Sequence, residues 1–255
     1  MTTRTLLARI HDAYRLKKIE NMLEPSFEGL DVKAEIVGVA AGRWAQLSLS
    51  GEDEAVATNY VAREIGFCPV SFENVTRFST LKGFVSGLEK SREELFVDVG
   101  VFEPRVVHAS VPLRHLQAQL VDGRKVALKK IAELFGFCED LPIIVKVVKV
   151  DKEESSMEAE LSDVQLKRFT VWRESLLDRL LVMGPAVDEI KMTLERAGLS
   201  RDVLGVEPMG VFSHALICKL GTDAAGLIPK IGRKLKNARF AVFNPKRLRQ
   251  FLEEA

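Results

Sequence analysis

The sequence has few of the residues on which metal, cofactor and disulfide chemistry depend. Its 255 residues include three Cys, four His, two Trp and two Tyr. Three Cys in a chain of this length do not make a disulfide scaffold, which favours a reducing compartment. The Cys and His spacings match no zinc site, and the sequence contains neither a phosphate-binding glycine loop nor a serine-centred elbow. We therefore expect no metal, no cofactor and no catalytic residue, and predict that the protein is not an enzyme.

Long apolar runs and an excess of one charge are also missing. No apolar run approaches the roughly 20 residues of a membrane helix, and the N-terminus lacks the apolar core of a signal peptide. We therefore expect a soluble, cytoplasmic protein that does not bind a membrane. The 37 basic and 36 acidic residues give a net charge of +1. Any nucleic-acid binding must consequently depend on local clusters of charge.

The hydrophobic periodicity predicts similar units, in the order β-α-β-β-α, at the two ends of the chain. The N-terminal elements are predicted over residues 5–10, 14–24, 32–39, 43–50 and 52–65. The C-terminal elements are predicted over 176–183, 185–196, 203–207, 211–220 and 223–235, followed by a strand over 239–243 and a helix over 246–253. In both units a Gly-x-Asp sequence, at Gly51 and at Gly221, joins a strand to a helix. Convergent α/β patterning and an internal duplication both explain this similarity.

The central segment is predicted to contain five strands, over residues 81–88, 94–101, 105–113, 141–150 and 157–162. A helical excursion separates the third strand from the fourth, which is the outline of an oligonucleotide-binding barrel. The predicted fold class is therefore α+β, with a central five-stranded barrel of the OB type between two β-α-β-β-α units. The corresponding domains are predicted over residues 1–75, 76–166 and 167–255.

Four short motifs of the central segment follow the order that is typical of S1 domains. They are Phe96-Val97-Asp98, Val107-His108-Ala109-Ser110, Val145-Lys146-Val147 followed by Asp151, and Leu161-Ser162. The segment thus resembles an S1 domain. This resemblance implies a barrel face that binds single-stranded RNA, and it assigns Phe96 and His108 to that face. A place in the barrel core for Phe96 and a hydrogen-bonded structural role for His108 are the alternatives.

Two departures from the S1 pattern weaken the expectation of RNA on that face. Glu93 stands where the family often has an aromatic residue, and Glu158 and Glu160 stand near the position of a basic residue. Carboxylates on this face would repel phosphate. The barrel would then bind a protein, or RNA would bind through another surface.

Two clusters of basic residues are candidates for that other surface. The first, in a helix predicted over 124–137, consists of Arg124, Lys125, Lys129 and Lys130. The second, near the C-terminus, consists of Lys230, Arg233, Lys234, Lys236, Arg239, Lys246, Arg247 and Arg249. No Asp or Glu lies between Asp223 and Glu253. Such a cluster contacts nucleic acid, an acidic partner or the acidic residues of the central segment, and a solvated helix face is the alternative for the first cluster.

The chain as a whole resembles an archaeal family known only as a domain of unknown function. The residues that carry this resemblance are the stretch from Cys218 to Pro229 and Ala241-Val242-Phe243-Asn244-Pro245. The resemblance implies an archaeal, cytoplasmic source and assigns no catalytic residue. We predict a non-catalytic protein that binds single-stranded or structured RNA in the ribosome, RNA-processing or transcription machinery, with a ribonucleoprotein or acidic protein as a further partner. The alternative is a protein-interaction adaptor with a degenerate S1-like barrel.

Overall fold

The computed structural model of the protein describes residues 2–41, 43–235 and 237–253. Its contacts divide the chain into two units, of which the first contains residues 1–75 and 100–107 and the second contains residues 76–99 and 108–255. The division into three domains stays a prediction.

The first unit contains a three-stranded antiparallel sheet with the strand order β1-β3-β2. Its elements are β1 (Thr2–Arg9), α1 (Ala13–Leu23), β2 (Lys33–Ala40), β3 (Trp44–Ser50), α2 (Glu54–Glu64) and the short β4 (Val70–Ser71), with 3-10 turns over Glu24–Phe27 and Phe72–Asn74. The carboxylate of Asp12 caps α1 by accepting a hydrogen bond of 2.9 Å from the amide of Arg15. The predicted β-α-β-β-α order is confirmed in this unit.

Five strands of the central segment close into a barrel, as predicted. They are β5 (Thr80–Val85), β6 (Glu94–Glu103), β7 (Val107–Pro112), β8 (Pro142–Asp151) and β9 (Ser156–Leu161). The strands pair in the order β6-β5-β8-β9-β7, and the pairing of β7 with β6 completes the ring. Leu95, Val97 and Val99 alternate along β6 and are fully buried, because successive side chains of a strand point to opposite faces.

Three helices accompany the barrel strands, and the sequence predicted only one of them. α3 (Leu113–Leu120) and α4 (Leu128–Phe135) lie between β7 and β8, and α5 (Asp163–Glu174) follows β9. Only α4 falls in the helix predicted over 124–137. α3 and α5 are absent from the predicted elements.

The C-terminal part of the second unit contains an antiparallel sheet with the strand order β11-β12-β10-β13. Its elements are β10 (Arg179–Met183), α6 (Val187–Arg196), β11 (Val203–Gly210), β12 (Ser213–Cys218), α7 (Ala224–Ile231), β13 (Arg239–Phe243) and α8 (Pro245–Glu253). Every residue of β10 is buried. Leu180 and Val182 pack with Ile190 of α6 and Leu227 of α7, so these helices cover one face of the sheet.

An aromatic cluster connects α4 and α5 to the C-terminal sheet. Its members are Phe135, Phe137, Phe169, Trp172 and Phe243, whose contacting ring centroids lie 5.2 to 6.3 Å apart. Gly136 ends α4 with a φ of +70°, and a Cβ at this position would lie 2.9 Å from Cδ1 of Leu181. The positive φ therefore favours glycine at this position, where the chain passes close to the C-terminal sheet. The aromatic cluster holds α4, which carries part of the first basic cluster, against the C-terminal sheet.

Candidate nucleic-acid interface

Phe96 and His108 lie on the outer surface of the barrel, on adjacent strands. Phe96 is half-buried between the fully buried Leu95 and Val97. The His108 side chain is 31% exposed, and its Nε2 lies 4.0 Å from Oδ2 of Asp98. We name the surface formed by the outward side chains of β6, β7 and β9 the S1 face: Glu94, Phe96, His108, Ser110, Glu158 and Glu160.

The carboxylates of the S1 face are paired with neighbouring side chains. Oε1 of Glu158 lies 2.5 Å from Nη2 of Arg114 and 3.6 Å from Nε2 of His115, both on α3. Glu160 lies 3.8 Å from Nζ of Lys146, and Glu94 accepts a hydrogen bond from the hydroxyl of Ser110. The pairing of β7 with β9, which sets Ser110 beside Glu158, brings these groups onto one surface. The cations nearest this face are therefore already matched by carboxylates.

The first basic cluster contacts the part of the second basic cluster that lies on α8, through α4 and the residues just before it. The guanidinium of Arg124 donates hydrogen bonds to the carbonyls of Phe251 (2.9 Å) and Leu252 (2.6 Å), which lie in the last turn of α8. Nζ of Lys130 lies 5.8 Å from the Phe251 ring. Nη2 of Arg247 lies 3.7 Å from Oε2 of Glu133 on α4. We name the combined surface the α4–α8 basic surface: Arg124, Lys125, Lys129, Lys130, Lys246, Arg247 and Arg249.

Arg124 and Arg249 have identified structural contacts within this surface. Arg124 is half-buried, and its two hydrogen bonds satisfy carbonyls at the helix end, where positive charge is also favourable. Nε of Arg249 lies 2.6 Å from Glu253 on the same helix, and this contact raises the pKa of Arg249 above its usual value. Lys125, Lys129 and Lys246 are exposed.

The other basic residues of the second cluster lie at the end of α7 and the start of β13. Lys230 and Arg233 are exposed. Nζ of Lys234 donates to the carbonyl of Arg196 at the end of α6 (3.2 Å), and Arg239 lies 3.3 Å from Asp140. The predicted residue Lys236 lies outside the described residues. The structure thus divides the predicted C-terminal cluster between two places, one on α8 and the other from the end of α7 to the start of β13.

A groove of about 880 Å³ runs beside the α4–α8 basic surface. It lies between the loop that joins β5 to β6, helix α4 and strand β13. Its lining combines the cations of Arg92, Lys129 and Arg247, the carboxylates of Glu89 and Glu133, and an apolar floor that includes Phe137, Phe240 and Val242. Arg92 and the groove itself were not predicted from the sequence, because Arg92 stands in a mixed-charge loop whose position depends on the barrel.

The thiol of Cys138 also faces this groove. Burial raises the pKa of Cys138 to about 12, and the nearby carboxylate of Asp140 acts in the same direction. At neutral pH the thiol is therefore protonated, and a protonated thiol is a poor nucleophile. Within residues 2–41, 43–235 and 237–253, no three or more His, Cys, Asp or Glu side chains are grouped so that they could hold a metal ion. No helix in this described part is long and apolar enough to cross a membrane.

Three solved structures show partial similarity to this chain. An uncharacterized protein from Methanocaldococcus jannaschii is 14% identical, with a TM-score of 0.25 over 35% of this chain and 96% of that one. A chain from the a/eIF2alpha-aDim2p-rRNA complex of Pyrococcus horikoshii is 13% identical, with a TM-score of 0.27 over 51% and 70%. The intact alpha subunit of aIF2 from Pyrococcus abyssi is 9% identical, with a TM-score of 0.26 over 67% and 97%.

Family models match most of the chain, whereas the curated proteins give no match. The DUF2110 N-terminal domain matches residues 5–69, the DUF2110 central domain matches residues 76–173, and the DUF2110 C-terminal domain matches residues 177–243. The three matches follow one another in the order of the family's own domains. The chain therefore belongs to the DUF2110 family.

Proposed function

We propose that this protein is a non-catalytic RNA-binding protein, and that the α4–α8 basic surface binds the RNA backbone. The observation that carries the proposal is the meeting of two basic segments that are more than 100 residues apart in the sequence. Arg124 and Lys130 contact α8, and Arg247 contacts α4. Packing therefore gathers positive charge that neither segment has alone, in a chain whose net charge is only +1.

The groove beside this surface supports single-stranded rather than double-stranded RNA as the ligand. Proteins that bind single strands combine a positively charged groove with side chains on which bases stack. Lys129 and Arg247 stand at the groove, and the partly exposed Phe240 contributes to its floor. Phosphates would contact the cations while bases occupy the apolar floor.

The chemistry of the groove supports binding without catalysis. The raised pKa of Cys138, about 12, disfavours a thiolate nucleophile there. A binding groove needs no such group, because phosphate contacts and stacking are sufficient for affinity. We accordingly propose that the protein binds RNA and leaves it chemically unchanged.

The S1 face favours a second candidate function, that of a protein-interaction adaptor. Glu94, Glu158 and Glu160 occupy this face, and their negative charge disfavours phosphate. The same carboxylates suit a basic protein partner. The two candidates are separable by nuclease, because an association bridged by RNA is lost when the RNA is degraded, whereas a direct protein contact is not.

Charge reversal on the full chain tests the RNA proposal. The test variant combines Lys129→Glu with Arg247→Glu. The control combines Lys33→Glu with Arg63→Glu, which changes net charge equally at side chains of the first unit that are 71% and 74% exposed. At 0.15 M salt, one phosphate contact corresponds to about a fourfold change in affinity, so the test variant should bind labelled single-stranded RNA at least about 15-fold more weakly. Equal affinities of test and control variants would reject the α4–α8 basic surface.

The cellular setting that we propose is the ribosome, RNA-processing or transcription machinery of the cytoplasm. Recovery of the tagged full chain from extract, with and without nuclease, tests this setting. We expect the associated proteins to be released by nuclease, because RNA would bridge them to this chain. Association that survives nuclease would instead support the adaptor function.

A further inference from the structure

Phe78 differs from the other phenylalanines of the chain in its exposure. All fourteen lie within the described residues, and Phe78 is the one whose side chain is exposed, at 59%. Exposing a large apolar ring to water is unfavourable. An isolated exposed apolar residue is common, so the surroundings of the ring decide whether it has a binding role.

Two cations flank the Phe78 ring. Cζ of Arg77 lies 4.5 Å from the ring centroid, and Nζ of Lys146 lies 5.9 Å from it. Lys146 is close to Glu160, at 3.8 Å, whereas Arg77 forms no ion pair with a described carboxylate. An exposed aromatic ring beside cations is the combination that binds single-stranded nucleic acid, because the ring stacks on a base while the cations contact phosphate.

The backbone holds this ring in a fixed position. The amide of Phe78 donates to the carbonyl of Val147 (2.8 Å), and the amide of Val147 donates to the carbonyl of Ser79 (3.0 Å). Nε of Arg77 donates to the carbonyl of Val148 (3.0 Å). Phe78 has a φ of +71°, a conformation that bulky residues rarely adopt. Hydrogen bonds to β8 thus hold the Phe78 backbone and the Arg77 side chain in place before any ligand binds, which lowers the entropic cost of binding.

We propose that Phe78 is a stacking platform for one unpaired RNA base, and that Arg77 contacts the adjacent phosphate. This site is distinct from the S1 face, whose aromatic residue is Phe96, and from the α4–α8 basic surface. It deepens the proposed function and rests on it, because it specifies a base contact within the RNA that the basic surface binds.

Binding of two oligomers to variants of the full chain tests the site. The probes are a fluorescein-labelled single-stranded RNA and an abasic oligomer of the same length and charge. Phe78→Ala should weaken binding of the RNA by about 5- to 150-fold, the range for one base stacked on an aromatic ring, and should leave binding of the abasic oligomer unchanged. Phe78→Trp should retain the affinity for RNA, and the emission of the new Trp should be quenched by RNA alone.

Tyr14→Ala is the matched control, because Tyr14 is a 54% exposed aromatic residue with Nζ of Lys18 5.7 Å from its ring. We expect this variant to bind RNA as the wild type does. Equal affinities of Phe78→Ala and wild type for RNA, or equal losses for RNA and the abasic oligomer, would overturn the stacking platform. If the Lys129→Glu/Arg247→Glu variant still lost binding in that case, the proposed function would stand without this site. Absence of RNA binding by the wild type would reject both.

Discussion

The S1 face and the α4–α8 basic surface belong to the same unit, but the first contains acidic side chains and the second basic ones. On the S1 face, carboxylates such as Glu158 and Glu160 are paired with cations of neighbouring elements. On the basic surface, Lys125, Lys129 and Lys246 are exposed. The barrel fold places a face where an S1 domain would bind RNA, but the side chains on that face decide what binds. Function therefore has to be argued from the site and not from the fold.

The largest expected effect concerns the packing beneath the basic surface. Phe169 is 4% exposed and contacts Phe135, Trp172 and Phe243. Phe169→Ala should lower the free energy of unfolding by about 3–5 kcal/mol, because it leaves a cavity in the aromatic cluster. Denaturant unfolding measures this loss, and Val171→Ala, at a 51% exposed position of the same helix, is the control. A loss below about 1 kcal/mol would show that the cluster does not hold α4 against the sheet.

The next prediction compares how much the two parts of the C-terminal basic cluster, one on α8 and one at the end of α7, contribute to RNA binding. Arg247→Glu with Arg249→Glu alters α8, whereas Arg233→Glu with Lys234→Glu alters the end of α7. We expect the α8 pair to weaken RNA binding by about 15-fold or more, since two side chains that would bind phosphate become anions, and the α7 pair to have a smaller effect. Salt titration of each variant measures how many phosphates it still binds. A larger loss of affinity in the α7 pair would move the RNA site away from α4.

The pH dependence of stability tests the role of a buried histidine in the C-terminal sheet. Burial lowers the pKa of His214, although backbone groups of Pro185 and Val211 oppose this shift. As the pH falls, the histidine of the unfolded chain binds a proton at a higher pH than the buried histidine does. The free energy of unfolding should therefore decrease between about pH 6.5 and the lower pKa of the folded state. The decrease is at most about 1.4 kcal/mol per pH unit. Denaturation of the wild type and His214→Leu at pH 7 and pH 5 measures this. An equal dependence on pH in both proteins would exclude His214 as its source.

The smallest expected effect comes from removing one negative charge from the S1 face. Glu158→Gln removes the carboxylate that pairs with Arg114 and His115. We expect single-stranded RNA to bind up to about fourfold more tightly, the amount for one new phosphate contact at 0.15 M salt. Glu20→Gln, on α1 of the first unit, is the control for net charge. Unchanged affinity in Glu158→Gln would indicate that RNA does not approach this face.

The strands were more predictable from the sequence than the helices of the second unit. The strand predicted over 239–243 coincides with β13, because its apolar residues and its flanking polar residues are unambiguous. The helix α3 was missed because its eight residues follow directly on a predicted strand. The helix α5 was missed because buried Gln165 stands on its inner side with Phe169 and Trp172, which weakens the apolar stripe.

The sequence predicted the two basic clusters of the α4–α8 basic surface, but not that they lie together. Local charge clustering identified both the 124–130 segment and the C-terminal cluster, since it depends on neighbours in the sequence. Their meeting depends on long-range packing through Phe135, Phe169 and Phe243, which no local pattern contains. Phe78 was missed for the same reason, because its exposure and its proximity to Lys146 depend on the pairing of β5 with β8.

The hydrogen bonds from Arg124 to two carbonyls in the last turn of α8 imply that the proposed RNA affinity would report on the folded state. A disordered basic tail would keep its affinity in denaturant as long as its lysines and arginines remained charged. In this protein, detachment of α8 would separate the two halves of the charged area by more than 100 residues of chain. RNA affinity should consequently disappear in the same cooperative transition that releases α8, and bound RNA should slow amide hydrogen exchange along that helix.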